Sequence, residues 1–260
     1  MQHNSLKKIF DDKILLAPVT LTAKDRVLEI GTGPGLWLME YAQTVDPSVN
    51  FVGVDISSRL FPVSAPANIK FQIESVLNLP VEWTNTFALV HQRLLMMALQ
   101  IPEWKQAIGE IYRVMRPGGW VQIGECFAWI EGEAPDKPCM MKLIDMYWSL
   151  IRLRKIWIEC AASGLLPEML RAAGFVDVRS EKRDMPIGKW AGDIGVANSI
   201  THAGVFRGIK GPILEAGGFG QVTTEAEYDA LVEGVMKEWD DIPGTRRPFE
   251  IYWARKPESP

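Results

Sequence analysis

The sequence has few cysteines, and this scarcity excludes a disulfide-rich framework. Only three occur among 260 residues, at Cys126, Cys139 and Cys160. They lack the paired spacing of a metal-binding or redox motif. A small, odd set is typical of structural thiols in a reducing compartment, so we expect neither disulfides nor a metal site.

The sequence also lacks an excess of basic charge and lacks long apolar runs. Its formal net charge is −4, which does not match the basic footprint of a nucleic-acid-binding protein. No run approaches the ~18 apolar residues that indicate a membrane span. The opening MQHNSLKKIF has no apolar core of a signal peptide. We therefore expect a cytoplasmic protein whose partners include neither nucleic acid nor a membrane.

What the sequence does contain is a regular alternation of short apolar runs with helix-like segments. The runs predict strands at 26–30, 51–55, 68–73, 87–90 and 120–125. Helical spacing over 104–115 stops at the Arg-Pro-Gly-Gly of residues 116–119. This alternation favours an α/β fold with a parallel sheet and helices on both faces.

The pattern changes after Glu125. Residues 138–162 predict a long helix, a second helix opens at Pro167 and ends at Gly174, and 175–187 alternate like a strand. A final strand is predicted at 249–255. The segment before it is too long for a plain loop. We expect one domain over 1–260, with an N-terminal helical lid segment over 1–20 and a helical cap insertion over 186–247.

The stretch RVLEIGTGPGL, residues 26–36, carries the clearest functional pattern. Gly31, Gly33 and Gly35 follow a predicted strand and precede a predicted helix, so backbone N–H groups face the carboxyl edge of the sheet. A dinucleotide motif needs its third glycine at position 36, which is Leu36. The acidic Glu29 suits a cationic ligand better than a pyrophosphate.

These residues resemble a known family. EIGTGPG is similar to the first motif of class I S-adenosylmethionine (SAM)-dependent methyltransferases, and Asp55, FALVHQR and RVMRPGGW follow in the family's order. HQRLL, RPGGWVQIGE and the opening QHNSLKKIFDDKILLAP resemble fungal secondary-metabolism methyltransferases. The resemblance covers essentially the whole chain. It implies a Rossmann-like sheet of seven strands with the last antiparallel.

The resemblance also implies roles at the cofactor site. Glu29 would hold the cationic amino end of SAM, directly or through water, and Asp55 would accept hydrogen bonds from both ribose hydroxyls. Ile56 would cover the adenine. The adenine amine would meet Ser75 or Glu74, where the family often carries an aspartate. The full set of implied cofactor contacts is Glu29, Gly31, Thr32, Gly33, Gly35, Trp37, Asp55, Ile56, Ser75, Val76 and His91.

Two residues are candidates for catalysis. His91 follows the fourth strand, where the transferred methyl group should lie, and is the best candidate for a general base; alternatively, its ring is structural. Glu125 ends the fifth strand and either touches the acceptor or makes a structural hydrogen bond. His202 is a weaker candidate, since a surface or packing role accounts for it. His3 would come close to the cofactor only if the N-terminal helix folds over it. An aromatic acceptor pocket, or simply the core, would draw on Trp37, Trp129, Tyr147, Trp148 and Trp190.

The sequence therefore predicts SAM-dependent methylation, on oxygen or nitrogen, of a small molecule that belongs to fungal secondary metabolism. S-adenosylhomocysteine would be the product of the cofactor. The alternatives are a SAM-binding regulator of secondary metabolism and a SAM-bound enzyme that catalyses a reaction other than methylation. A NAD-dependent oxidoreductase is disfavoured by Leu36. A homodimer is left open.

Overall fold

The computed structural model describes residues 2–127, 129, 135–156 and 164–258. Seven strands occur in this part of the chain, each from an apolar or alternating stretch of sequence. They are β1 (Arg26–Ile30), β2 (Asn50–Asp55), β3 (Ile69–Ile73), β4 (Phe87–Arg93), β5 (Met115–Cys126), β6 (Val176–Pro186) and β7 (Arg246–Arg255).

Eight α-helices separate or follow these strands in the described residues. They are α1 (Gln2–Ile9), α2 (Leu36–Ala42), α3 (Ile101–Val114), α4 (Pro138–Arg154), α5 (Leu165–Ala172), α6 (Gly192–Gly208), α7 (Lys210–Glu215) and α8 (Glu225–Asp241).

The strands form one sheet in the order β3-β2-β1-β4-β5-β7-β6. Strand β1 pairs in parallel with β2 and β4, and the outer pairs β2–β3 and β4–β5 are parallel as well. Parallel neighbours require crossover connections, and α2 and α3 supply two of them. The order reverses at β1, so the carboxyl ends of β1 and β4 flank the point where ligands bind in open α/β sheets.

Strand β7 runs against β5. The backbone N–H of Lys256 donates to the carbonyl of Gly119, whereas that of Phe127 donates to the carbonyl of Pro248. Residue numbers therefore increase along one strand as they decrease along its partner, so the two strands are antiparallel. The prediction of a seven-stranded sheet with an antiparallel last strand is confirmed.

The chain divides into two units, and each is described on its own. The helical unit takes Met1–Asp12, Phe127–Ile158 and Arg183–Phe249, and the sheet unit takes Lys13–Cys126, Glu159–Lys182 and Glu250–Pro260.

The core of the sheet unit lies on both faces of β1 and β4. On one face, Trp37, Leu38 and Tyr41 of α2 pack in a cluster with Val27 and Leu89. Their helical spacing puts them on one side of α2. Burial of each such side chain stabilises the fold by roughly 1.5–3 kcal/mol. On the other face, α3 buries Trp104, Ala107, Ile108 and Ile111. The central strands are therefore covered on both sides.

The helical unit is centred on aromatic side chains. Trp129, Tyr147, Phe206 and Trp239 are all buried. Trp129 stacks with Trp239 at 6.1 Å between ring centroids, and Phe206 stacks with the same Trp239 at 6.2 Å. Helix α8 begins with a capping box, in which Glu227 and Thr224 each accept a hydrogen bond from the other's backbone N–H.

Several predicted boundaries differ from the observed ones. Helix α4 ends at Arg154, because Lys155 adopts the left-handed conformation (φ 54°); residues 157–162 of the predicted helix lie outside the described residues, as does Cys160. Helix α1 ends at Ile9, so the helical part of segment 1–20 is shorter than expected. Helices α6, α7 and α8 occupy much of 186–247, and the action of this segment as a cap stays a prediction.

Candidate active site

The glycine turn connects β1 to α2. Gly31, Gly33 and Gly35 all have positive φ, at 64°, 51° and 70°, which side chains rarely tolerate. Gly35 directly precedes α2. The N–H of Thr32 donates to the carbonyl of Val54, so the turn is tied to the end of β2.

The three glycines face different neighbours. A Cβ atom at Gly31 would lie 2.7 Å from Leu95, and one at Gly35 would lie 2.5 Å from the ring of Phe71. A Cβ atom at Gly33 would meet nothing nearer than Leu60 at 4.0 Å. Gly31 and Gly35 therefore make room for side chains of the protein itself, while Gly33 leaves an open surface on which a ligand fits. Sequence spacing gave no signal for Leu95 or Phe71.

Asp55 ends β2 beside the open glycine. Its Oδ2 accepts a hydrogen bond from the N–H of Gly33 at 3.0 Å, and its Oδ1 accepts one from the N–H of Ser57 at 3.3 Å. The carboxylate is partly exposed. Since each carboxylate oxygen can accept two hydrogen bonds, both retain capacity for the hydroxyl groups of a ligand.

Glu29 lies buried beneath the glycine turn. Its Oε2 accepts a hydrogen bond of 2.6 Å from the hydroxyl of Thr32, and its Oε1 lies 3.3 Å from Nδ1 of His91. The register of β1 against β4 places Glu29 directly opposite His91. The first-motif acid and the candidate base, separated by 62 residues of sequence (91 − 29), therefore form one cluster.

Comparison with known proteins finds similarity to methyltransferases. A family model described as a methyltransferase domain matches residues 27–119. The N-methyltransferase gliN of Aspergillus fumigatus is 28% identical, over 99% of this chain and 92% of that protein. The N-methyltransferase sirN of Leptosphaeria maculans is 27% identical, across 98% of this chain and 90% of that protein. The N-methyltransferase tcpN of Claviceps purpurea is 28% identical, across 98% of this chain and 92% of that protein. These comparisons place a methyltransferase domain at residues 27–119 and make nearly the whole chain similar to fungal N-methyltransferases.

Solved structures share the fold of this chain. Phosphoethanolamine N-methyltransferase 2 of Haemonchus contortus, solved with SAM, superposes with a TM-score of 0.57 at 17% identity, over 98% of this chain and 56% of that one. The [4+2]-cyclase SpnF gives a TM-score of 0.56 at 20% identity, over 98% of this chain and 81% of its own. At these identities the likeness concerns the fold alone.

His91 is held in the core. Its ring is buried and stacks on the indole of Trp37, with centroids 3.6 Å apart and planes 9° apart. Trp37 is itself buried, and its Nε1 donates to the carbonyl of Ile14 at 2.8 Å. The expectation that Trp37 lines a cofactor or acceptor surface stays a prediction, and its burial favours a packing role.

A half-buried cation, Arg93, adds to the charge of this cluster. Burial lowers the pKa of the Arg93 guanidinium, while the negative charges of Glu29 and Glu40 act to raise it. A guanidinium stays protonated even with a lowered pKa, because its ordinary value lies far above neutral pH. Arg93 therefore supplies a positive charge that interacts with Glu29.

The segment after β3 lies next to Asp55. The N–H of Glu74 donates to the carbonyl of Asp55 at 3.0 Å. The hydroxyl of Ser75 accepts from the N–H of Leu77 at 3.2 Å, and Val76 is buried. Ile56, by contrast, is 76% exposed, which suits an apolar side chain that awaits a flat ligand. The assignment of the adenine contact to Ser75 or Glu74 stays open.

Glu125 is fully buried at the end of β5. Its two oxygens accept hydrogen bonds from the N–H groups of Leu95 and Met96, at 3.0 and 3.2 Å. Burial raises the pKa of this carboxyl to about 8. The catalytic assignment of Glu125 stays a prediction; its position favours the structural alternative, because both oxygens already have partners and neither is open to an acceptor.

The remaining aromatic and histidine candidates lie in the helical unit. Trp129 and Tyr147 belong to its aromatic core, and Trp148 donates from Nε1 to the carbonyl of Trp129 at 2.7 Å. Trp190 donates to the carbonyl of Ile187 at 2.7 Å. His3 and His202 are buried.

His202 is held neutral. Its Nδ1 lies 2.8 Å from the carbonyl of Asn198. Burial lowers its pKa to about 3, and the charge of Arg247 adds to the effect.

Two further features concern metal ions and membranes. Among the described residues, no group of three or more His, Cys, Asp or Glu side chains is arranged to hold a metal ion. In the same part of the chain, no helix combines the length and the apolar character that crossing a membrane requires.

Proposed function

We propose that this methyltransferase transfers the methyl group of SAM to a nitrogen atom of a small molecule of fungal secondary metabolism, with an oxygen acceptor as the alternative. The observation that carries the proposal is the arrangement of the open Gly33, Asp55 and the buried Glu29 at the switch point of the sheet. Relatives that match nearly the whole chain are fungal N-methyltransferases by name.

The residues present fit the nucleoside part of SAM. Asp55 is tied to the turn through the N–H of Gly33 and keeps hydrogen-bonding capacity for two ribose hydroxyls. Each hydrogen bond to a charged group contributes roughly 1.5–3 kcal/mol. The exposed Ile56 follows directly and would cover one face of the adenine.

The residues also fit the amino-acid part of SAM. Open backbone at Gly33 precedes the N-terminus of α2, whose dipole favours a carboxylate. Glu29 would attract the ammonium group, directly or through water, from beneath the turn. The hydroxyl of Thr32 donates to one of its oxygens, and Nδ1 of His91 lies 3.3 Å from the other, so the carboxylate is oriented before a ligand arrives.

When bound, SAM supplies an electrophilic methyl group on a sulfonium, and S-adenosylhomocysteine is its product. The protein has to orient the acceptor and exclude water, which can contribute on the order of 7–11 kcal/mol. An amine acceptor attacks with its own lone pair and releases its proton afterwards, whereas a hydroxyl profits from a base at the moment of attack. His91 and Glu125 are both buried, which supports a nitrogen acceptor.

Turnover tests this proposal. The purified protein is incubated with SAM carrying a labelled methyl group and with metabolite extracts of fungi. The expected result is S-adenosylhomocysteine and a labelled product in equal amounts. Fragmentation of that product in a mass spectrometer should locate the labelled methyl group on a nitrogen atom. Label on oxygen would support the alternative acceptor. A substrate converted without S-adenosylhomocysteine, or SAM binding without turnover in any extract, would contradict methyl transfer and favour the other two hypotheses.

A further inference from the structure

A short turn follows β4 and lies against the glycine turn. Leu94 adopts a positive φ of 60°, and its N–H donates to the carbonyl of Gly124 at 2.9 Å. The chain then closes a turn in which the N–H of Ala98 donates to the carbonyl of Leu95 at 2.9 Å. A leucine with positive φ is strained, so other contacts must hold this conformation.

Glu125 supplies two of these contacts. Its Oε1 and Oε2 accept the successive N–H groups of Leu95 and Met96, and the residue is 0% exposed. A buried carboxyl group costs free energy unless hydrogen bonds compensate for lost water. Here the compensation comes from the backbone of the turn, so Glu125 and the turn fix each other.

The side chain of Leu95 carries this arrangement to the cofactor site. Its Cδ2 lies 2.7 Å from the position that a Cβ atom of residue 31 would take. Only a glycine permits so close an approach, since real Cβ atoms do not pack at this distance. Leu95 therefore rests directly on the backbone of Gly31, within the turn that precedes Gly33.

We propose that Glu125 is a positioning residue for cofactor binding, which acts through Leu95 on the glycine turn. It holds the backbone of residues 95 and 96 so that Leu95 braces Gly31 in its left-handed conformation. This inference rests on the proposed function, because it assumes that SAM binds over the turn. Of the two alternatives that the sequence left open for Glu125, it favours the structural hydrogen bond over contact with the acceptor.

A double-mutant cycle on SAM affinity tests the inference. Glu125→Gln loses one backbone acceptor, and Leu95→Ala removes the brace without touching the carboxylate. Each is expected to weaken SAM binding about tenfold, and the double variant by little more than either alone, because coupled residues are not additive. The kcat of each variant at saturating SAM should stay close to that of the wild type.

Glu238 offers a matched control. Its carboxylate also accepts two successive N–H groups, those of Cys139 and Met140 at 2.7 and 2.8 Å, but in the helical unit. Glu238→Gln is expected to lower the melting temperature and to leave SAM affinity unchanged. If Glu125→Gln does not fold, Leu95→Ala compared with Leu95→Met carries the test, with weaker binding expected for Leu95→Ala only.

The outcomes separate the two proposals. Unchanged SAM affinity in folded Glu125→Gln, or effects that multiply to about a hundredfold in the double variant, would overturn the inference while leaving the proposed function intact. No SAM binding by the wild-type protein would overturn the proposed function, and the inference with it.

Discussion

The imidazole of His91 lies flat on the indole of Trp37, 3.6 Å away, while its Nδ1 lies 3.3 Å from Oε1 of Glu29. The ring is thus held on its face by one side chain and at its edge by another. A general base must reach the proton that it removes, and Nδ1 of this ring faces the carboxylate of Glu29. We therefore interpret His91 as the residue that orients Glu29.

The first prediction concerns His91→Gln. If His91 orients Glu29, the variant binds SAM about tenfold more weakly, because a loosely held carboxylate contributes less to an ionic hydrogen bond. Its kcat at saturating SAM and acceptor should change little. Isothermal titration and steady-state kinetics measure the two quantities. A kcat lowered by about 10²–10⁴-fold with SAM affinity unchanged would show instead that His91 is a base.

The second prediction concerns Gly33→Ala, a substitution at the glycine whose surface is open to a ligand. In Gly33→Ala the new methyl group meets no side chain closer than 4.0 Å, yet it projects into the space proposed for SAM. The left-handed φ of 51° adds a cost of about 1–2 kcal/mol. That cost lowers the stability of the fold, whereas the methyl group in the ligand space is expected to lower SAM affinity about tenfold or more, as measured by calorimetry.

Gly109 serves as the control for this variant. It lies inside α3, with no atom within 4 Å of a Cβ position. Gly109→Ala should leave SAM binding unchanged and should stabilise the protein by roughly 0.5–1 kcal/mol, since alanine is the better helix former. Equal losses of SAM affinity in the two variants would contradict the placement of the ligand at Gly33.

The third prediction concerns the acid stability of the helical unit. His202 has a pKa lowered to about 3 by burial, against 6.5 when unfolded. Between these values the unfolded chain binds a proton that the folded protein does not. The contribution of His202 to the free energy of unfolding is therefore present above pH 6.5 and lost as the pH falls towards 3.

Urea unfolding at pH 7.5 and pH 5 measures this contribution. The wild type should lose about 2 kcal/mol more between these conditions than His202→Phe, on the estimate of 1.4 kcal/mol per pKa unit. Both proteins contain the same carboxylates, so the contribution of these groups to the pH dependence cancels in the comparison. An equal loss in the two proteins would mean that His202 is not held neutral.

Much of the sheet was predictable from the sequence. Strands β1 and β2 are apolar runs that end at a glycine turn and at Asp55, and both ends agree with the prediction. Strand β5 begins earlier than predicted, at Met115, because Phe87 pairs with Met115 across a register shift. Such pairing depends on the neighbouring strand and leaves no local signal.

The candidate site was predictable in its residues and less so in its contacts. The motif located Glu29, Gly33 and Asp55, which the structure brings together around one turn. It did not indicate that Leu95 and Phe71 fill the space at Gly31 and Gly35, because these approaches depend on tertiary packing. The burial of Glu125 could not be predicted either, because the local sequence at the end of a strand is the same whether or not a turn covers it.

The most direct test of the account is calorimetric titration of the purified protein with SAM, for the wild type, Asp55→Ala and Asp46→Ala. Asp46 is an exposed aspartate that holds a local turn through Ser48, so it controls for the loss of such a contact. Differential scanning calorimetry checks that all three proteins fold. We predict binding by the wild type and Asp46→Ala, and binding weaker by about one to two orders of magnitude in Asp55→Ala. Equal affinity in all three proteins would contradict the role of Asp55 in SAM binding, and no binding by the wild type would contradict the SAM site itself.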